Sequence, residues 1–360
     1  MNTLKTKYKH SLAAQSIKNN TIEQAYKKVN TTFQIDYNRL DSLYSNKLVS
    51  TVFQQTVKQK LDFDLALTQA RIIHRNFIRA VRDTINTKKE FKQNDIALFN
   101  KLYKEYPVNN STNQGHLYWY DYTKSYICTS NIINTKQHFK YTLDEQFSNH
   151  SKFLNVAKQL LNKETLEYFT ACYLFENFIN YHYSRSLVSE YEKFKKEYPN
   201  SLYLSYLIKN TETINEYPNR INQPISSKIE FVKNSGAINT LEKLTNLTKG
   251  KNTYLVFWKD DFSESKRGFN ALLKSRPFLK KYNIGIVYLS LNDLSNNENA
   301  KDIIHYYNLE GIHISASSEL LNDIKLKTRM IRHPYYMIIN KDGEIVQDDA
   351  NGPRRSENFE

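Results

Sequence analysis

The spacing of hydrophobic positions changes along the chain. In roughly the first two hundred residues, apolar side chains recur three and four apart. Beyond about residue 228 they gather into short runs separated by turn residues. From about Leu40 to Asn86 the spacing predicts helix, with Ile73, Phe77, Val81 and Ile85 four apart on one face. Residues 1–35 are polar and carry only a weak helical period. Residues 87–150 are less regular: Pro107 and the N-N-S-T-N-Q-G run at 109–115 mark a loop, and H-L-Y-W-Y at 116–120 is aromatic enough to be core. Residues 151–209 read as packed helices. Leu166, Phe169, Tyr173, Phe175 and Phe178 are expected on the buried side of one of them, and Pro199 stops the next.

The stretch 210–234, with Pro218 and Pro224 close together, reads as a linker. After it the pattern alternates. A strand is expected at Tyr254–Phe257, apolar throughout as a strand buried on both faces must be. A helix follows from about Phe262, kinked or split at Pro277, and then a strand over Ile284–Leu291. Helices over Glu298–Tyr307 and Ser318–Lys325 precede a strand at Tyr335–Ile339 and a hairpin turning at Asp342-Gly343. These elements predict a helical domain over 1–209, a linker over 210–234 and an α/β domain over 235–360.

Composition changes this picture little. The 360 residues are 40% hydrophobic and 24% charged, as in a globular chain, and 8 Gly and 7 Pro leave little room for flexible linkers. Of the net charge of +14, residues 1–227 carry +11 (31 Lys/Arg against 20 Asp/Glu) and residues 228–360 carry +3. A basic excess suits nucleic acid or acidic lipid. No nucleic-acid-binding signature accompanies it, and abundant Lys, Asn, Tyr and Ile give it a compositional reading, so no nucleic-acid partner is expected. Arg71, Arg75, Arg79 and Arg82 form a stripe on one helix, read as a solvated face, with an anionic partner as the alternative. Cys128 and Cys172 fall in apolar stretches with no CxxC or zinc spacing, and are expected to be free and buried. No apolar run is long enough for a transmembrane segment, and the first ten residues lack the apolar core of an export signal.

The stretch that carries chemistry is Y-L-V-F-W-K-D-D-F-S-E-S at 254–265, an apolar run ending in Trp258 and leading through an acidic turn into a helix. Four segments, in order, resemble the TlpA/ResA-type branch of thioredoxin-like proteins, especially forms from Bacteroidetes. They are I-N-T-L-E-K-L followed by K-G-K; Y-L-V-F-W; H-P-Y-Y-M-I-I-N-K-D-G-E-I-V; and D-D-A-N-G-P-R-R-S. The resemblance covers about residues 235–353. It implies a thioredoxin-like fold for the C-terminal α/β domain, so that the expected fold class is a mainly helical N-terminal domain, read from the periodicity, plus an α/β thioredoxin-like C-terminal domain. It also implies thiol–disulfide exchange by a cysteine pair at the start of the helix after the first strand. Aligned on Phe257-Trp258, those two positions are Phe262 and Ser265, so the CxxC is replaced by Phe262-Ser263-Glu264-Ser265. Thiolate chemistry is then lost, because a hydroxyl ionises far too weakly to exchange disulfides.

The remaining site expectations follow from the same turn. Asp261 three before Glu264 fits a capping box for the helix. Asp260, Asp261 and Glu264 together are alternatively a seat for a cation or a basic partner, although no histidine joins them in sequence and no metal site is expected. Pro334 matches the family's cis-proline beside the active turn, and His333 before it is either a rim residue or a titrating group. The binding surface is therefore expected at Trp258, Asp261, Glu264, His333 and Pro334. The expected function is a redox-inactive polypeptide-binding or structural module with no cofactor. The alternatives are a thiol–disulfide oxidoreductase of the cell envelope, the location the resemblance implies, and a basic helical domain that binds an anionic partner. The family ends with a helix after its A-P-R-P-S segment. This chain stops at Asn358-Phe-Glu, so that helix is expected to be missing or very short.

Overall fold

The computed structural model describes residues 21–84, 91–110, 113–135, 150–208, 211–260, 262–328, 330 and 334–353. Among these the chain is predominantly helical, with one small mixed sheet. It divides into two compact units, Met1–Tyr173 with Phe194–Leu204, and Leu174–Lys193 with Ser205–Glu360.

The first unit begins with α1 (Ile22–Ser45), capped by a reciprocal pair: Gln24 N donates to Thr21 Oγ1 at 3.3 Å and Thr21 N to Gln24 Oε1 at 2.9 Å. This helix starts well ahead of Leu40, where helical spacing was expected to set in. Its apolar stripe (Ile22, Ala25, Val29, Phe33) is only about one residue wide per turn, so the polar majority hid it. The long α2 (Thr51–Thr84) buries Ile73, Phe77 and Val81 as the four-residue spacing predicted; Ile85 lies outside the described residues. These side chains share a core with α3 (Gln93–Glu105), α4 (Trp119–Thr135), α5 (His150–Leu160) and the first half of α6 (Lys163–Ile179). The aromatic run at 116–120 contributes Trp119, which is fully buried, but leaves Leu117 exposed. Phe175 is also exposed, against expectation; it stands about 200° around the helix from Tyr173. The arginine stripe is not uniformly solvated either, because Arg71 is half-buried and its Nη2 lies 3.1 Å from Asp121 Oδ2 on α4.

The division between the units falls within α7 (Arg185–Glu197) and at the start of α8 (Leu204–Ile208). The expected linker 210–234 holds α9 (Thr211–Ile221) and the edge strand β1 (Ile229–Phe231). Pro218 sits inside α9, yet Ile214, Tyr217 and Ile221 are buried on one face, and that packing outweighs the missing N–H.

The sheet follows with β2 (Thr253–Trp258), β3 (Gly285–Ser290), β4 (Gly311–Ser315), β5 (Tyr335–Ile339) and β6 (Ile345–Gln347), in the order β1-β4-β3-β2-β5-β6. β1, β4, β3 and β2 are mutually parallel, whereas β5 runs antiparallel to both β2 and β6. The crossover helices are α11 (Ser263–Lys281), α12 (Glu298–Tyr306) and α13 (Ser318–Lys327), while α10 (Leu241–Leu247) precedes β2. α11 runs unbroken through Pro277, so the expected split does not occur. β4 was not expected: G-I-H-I-S has only two aliphatic residues, and its centre, His313, is buried.

Candidate functional site

β2 is buried along its whole length, between parallel β3 and antiparallel β5. Its side chains alternate between two faces, as the pleat requires. Leu255 and Phe257 join a core with Leu241, Leu244, Leu320, Ile324 and Met337. On the other face Trp258 packs edge-on against Phe269 of α11, ring centroids 5.3 Å apart, and Phe269 meets Tyr307 at 5.6 Å. Trp258 is fully buried, so its side chain fixes the end of β2 and cannot present itself to a ligand at the surface.

The turn after β2 divides its carboxylates. Asp260 points inward and is 3% exposed; its Oδ2 accepts from Asn297 Nδ2 and Asn299 Nδ2, both at 3.0 Å, and its N donates to Asn292 Oδ1 at 3.1 Å. Glu264 is exposed and pairs with Arg267 at 2.8 Å. Arg267 in turn donates to Asn180 Oδ1 at 3.3 Å. Asp261 lies outside the described residues. α11 takes Phe262 as its N-cap, one residue later than expected, with no side-chain cap bond, so Glu264 stands at the second helical position and not the third. Among the described residues, no group of three or more His, Cys, Asp or Glu is placed to hold a metal ion.

Phe262 and Ser265 are the two positions at which the resemblance implied cysteines. Phe262 is half-buried at the helix cap, and Ser265 is 1% exposed, its Oγ accepting from Lys259 N at 3.4 Å. The hydroxyl is therefore engaged in closing the turn. The chain's two cysteines both belong to the first unit and form no disulfide; Cys128 is buried and Cys172 half-buried.

The last pair of the β2/β5 ladder is Phe257 opposite Tyr335. One step further, the antiparallel register sets Pro334 across from Trp258, bringing together the two ends singled out from sequence. His333 lies outside the described residues. Pro334 is half-buried, and the chain after β6 runs back along this strand: Ala350 N donates to Tyr336 O at 2.9 Å and Tyr254 Oη to Asn351 O at 2.8 Å.

Sequence reasoning missed the asparagine clamp on Asp260. A signal was present: N-N-E-N at 296–299 opens α12, and Asn297 is also its N-cap, accepting from Ala300 N at 2.9 Å. The connection β3→α12 leaves the sheet at the same end as β2→α11, which is what allows Asp260 to meet residues 37 and 39 positions away.

The sequence matches no protein-family model and no curated protein. Among solved structures it is similar to the solution structure of a candidate thiol-disulfide oxidoreductase from Bacteroides vulgatus. There the match is 18% identical, spans 32% of this chain and 73% of that one, and has a TM-score of 0.27. It is also similar to the thioredoxin domain of a thiol-disulfide oxidoreductase from the same organism, at 21% identity over 32% of this chain and 82% of that one, TM-score 0.27. A thioredoxin-like protein from Bacteroides caccae matches over 66% of this chain and 92% of its own length at 10% identity, TM-score 0.26. Among the described residues, no helix is long and apolar enough to cross a membrane.

Proposed function

We propose that residues 235–353 form a thioredoxin-like domain of the TlpA type that has lost its redox pair and serves as a polypeptide-binding module, carried behind a mainly helical region over 1–209. The observation that supports this reading is the start of α11, which follows the central strand β2 and carries Phe262 as its N-cap and buried Ser265 in its first turn, the two positions at which the resemblance implies thiols. The second unit contains no cysteine at all. Disulfide exchange requires a thiolate attacking a sulfur, and nothing in this unit supplies one.

Binding remains chemically open to the same end of the sheet. The β2/β5 ladder stops at Phe257 and Tyr335, and the backbone at Pro334 lies beyond it, at the end of β2 from which the chain turns through Phe262 into α11. An extended peptide would add main-chain hydrogen bonds there, with the half-buried Phe262 ring as its apolar contact. In this reading Trp258 and Asp260 hold the turn in place. Glu264, Pro334 and the neighbouring Asp261 and His333 form the surface.

The test is insulin reduction by the full chain and by a Phe262→Cys/Ser265→Cys variant, together with photo-crosslinking of an extended peptide. An inactive parent that crosslinks near Pro334, with an active double-cysteine variant, is the expected result. Disulfide reduction by the parent, or no peptide captured at this end of the sheet, would overturn the reading.

A further inference from the structure

A cavity of about 450 Å³ opens at the opposite end of the parallel strands from the turn after β2, where β2, β3 and β4 begin. Its rim gathers cations from separate parts of the chain: Lys228 before β1, Lys249 and Lys251 in the turn before β2, and Arg276 and Lys280 four apart on α11. Two carboxylates share it. Glu310 is held by Lys280 at 3.8 Å, and Glu230 projects from β1. Five cations against two carboxylates leave three positive charges uncompensated, as large as the whole net charge of residues 228–360. Among the described residues, the ammonium groups of Lys228, Lys249 and Lys251 have no ion-pair partner.

Two of these exposed lysines, Lys249 and Lys251, have packed stems. The turn that carries both is fixed by Gly250, whose φ is +92° and whose N donates to Lys341 O at 2.7 Å. The Lys251 stem lies over Gly285, with Cδ 3.2 Å from where a Cβ would stand, and the Lys249 stem lies over Gly343, with Cε 3.1 Å from that position. Stems packed in this way hold their charged heads at the rim with less rotamer freedom left to lose on binding. Arg276 donates through Nη2 to the Asn308 carbonyl, while its Nε is buried without a partner among the described residues. The floor is apolar, formed by Leu279, Ile286 and Ile312.

We propose that this cavity binds a small phosphate compound carrying at least two phosphate groups. The volume is that of a small-molecule site and not of a macromolecular interface. Lysine point charges and a guanidinium fork are the usual donors to phosphate oxygens. Uncompensated like charges around one cavity repel, and a multivalent anion relieves that repulsion where a single chloride would not. The site is independent of the peptide-binding end of the sheet and goes beyond that role.

The experiment is calorimetric titration of the full chain with inorganic tripolyphosphate at about 0.15 M ionic strength, where surface attraction is largely screened. The expected result is saturable one-to-one binding, weakened at least about tenfold in Lys249→Gln/Lys251→Gln, since each lost charge-assisted bond contributes about that much. Lys228→Gln is expected to weaken it less, and serves if the double variant does not fold. Arg75→Gln/Arg79→Gln, on the basic helix of the first unit, is the control and should leave the affinity unchanged. No saturable binding, or equal losses in the control and cavity variants, would overturn the proposal.

Discussion

Asn297 joins two structures with one side chain: its Nδ2 donates to Asp260 Oδ2 at 3.0 Å while its Oδ1 accepts from Ala300 N at 2.9 Å. It thus ties the start of α12 to the turn after β2, and Asn299 adds a second amide to the same carboxylate oxygen at 3.0 Å. The turn that the sequence marked as acidic is held from within by neutral donors.

Replacing Asp260 by alanine strands two amide donors in a largely buried setting. The expected loss is about 2–3 kcal/mol, because buried donors left without partners cost about 1–3 kcal/mol. Asp260→Asn keeps an accepting oxygen and should lose about half as much. Urea titration of both variants checks the ranking; equal losses would mean that a neutral amide oxygen cannot stand in for the carboxylate, so that its charge and not its volume or its mere presence as an acceptor holds the two asparagines.

Gly311 marks a close approach between β3 and β4. Its φ is +143°, and a Cβ there would stand 2.4 Å from the backbone oxygen of Ile286. The Ile286 backbone and the buried Tyr288 ring leave little that can yield, so Gly311→Ala should cost more than about 4 kcal/mol, in the range where single substitutions abolish folding. Gly250, at φ +92°, has open space around its Cβ position. Gly250→Ala should therefore cost only the left-handed backbone penalty of about 1–2 kcal/mol. Comparing soluble yield and thermal midpoint of the two variants separates steric from torsional strain.

Much of this architecture is legible in the sequence where burial is continuous. T-Y-L-V-F-W, G-I-V-Y-L-S and Y-Y-M-I-I are apolar runs bounded by turn residues, and each is a strand of the sheet. β4 is not legible, because its buried centre is a histidine whose place is set by Tyr288 stacked on it at 4.7 Å and by the Leu309 carbonyl, not by hydrophobicity. α9 is hidden by Pro218, although Ile214, Tyr217 and Ile221 carry the helical spacing. At the site, the absence of thiols is read directly from Phe262 and Ser265. The inward turn of Asp260 is not, since side-chain pairing across 37 residues leaves no local pattern.

His313 makes stability depend on mild acid. Burial pushes its pKa down from 6.5 to about 4, and its Nε2–H donates to Leu309 O at 2.7 Å, so the folded ring is neutral. Above pH 6.5 the ring is neutral in both the folded and unfolded states and contributes no slope. Between 6.5 and about 4 the unfolded chain takes up a proton that the folded chain refuses, so stability falls as pH falls. This one group accounts for about 3 kcal/mol over that window. Denaturant titrations at successive pH values should show the decline, and His313→Gln, which keeps a side-chain N–H donor without the titration, should flatten it. An unchanged slope in the variant would assign the acid sensitivity to other groups.

Pro277 stands within α11 with an exposed side chain, and the helix continues through it to Lys281. It has no N–H to offer the Leu273 carbonyl, and its ring crowds the preceding turn, a combination that costs about 3 kcal/mol in a helix interior. Part of this is offset because proline also restricts the unfolded chain, by about 0.4–1 kcal/mol. Pro277→Ala should therefore stabilise the protein by about 1–2 kcal/mol and raise its thermal midpoint, while leaving tripolyphosphate binding at neighbouring Arg276 within about twofold of the parent. A lower midpoint would mean that the proline bends α11 to bring Arg276 and Lys280 to the cavity rim. The affinity should then fall with the stability.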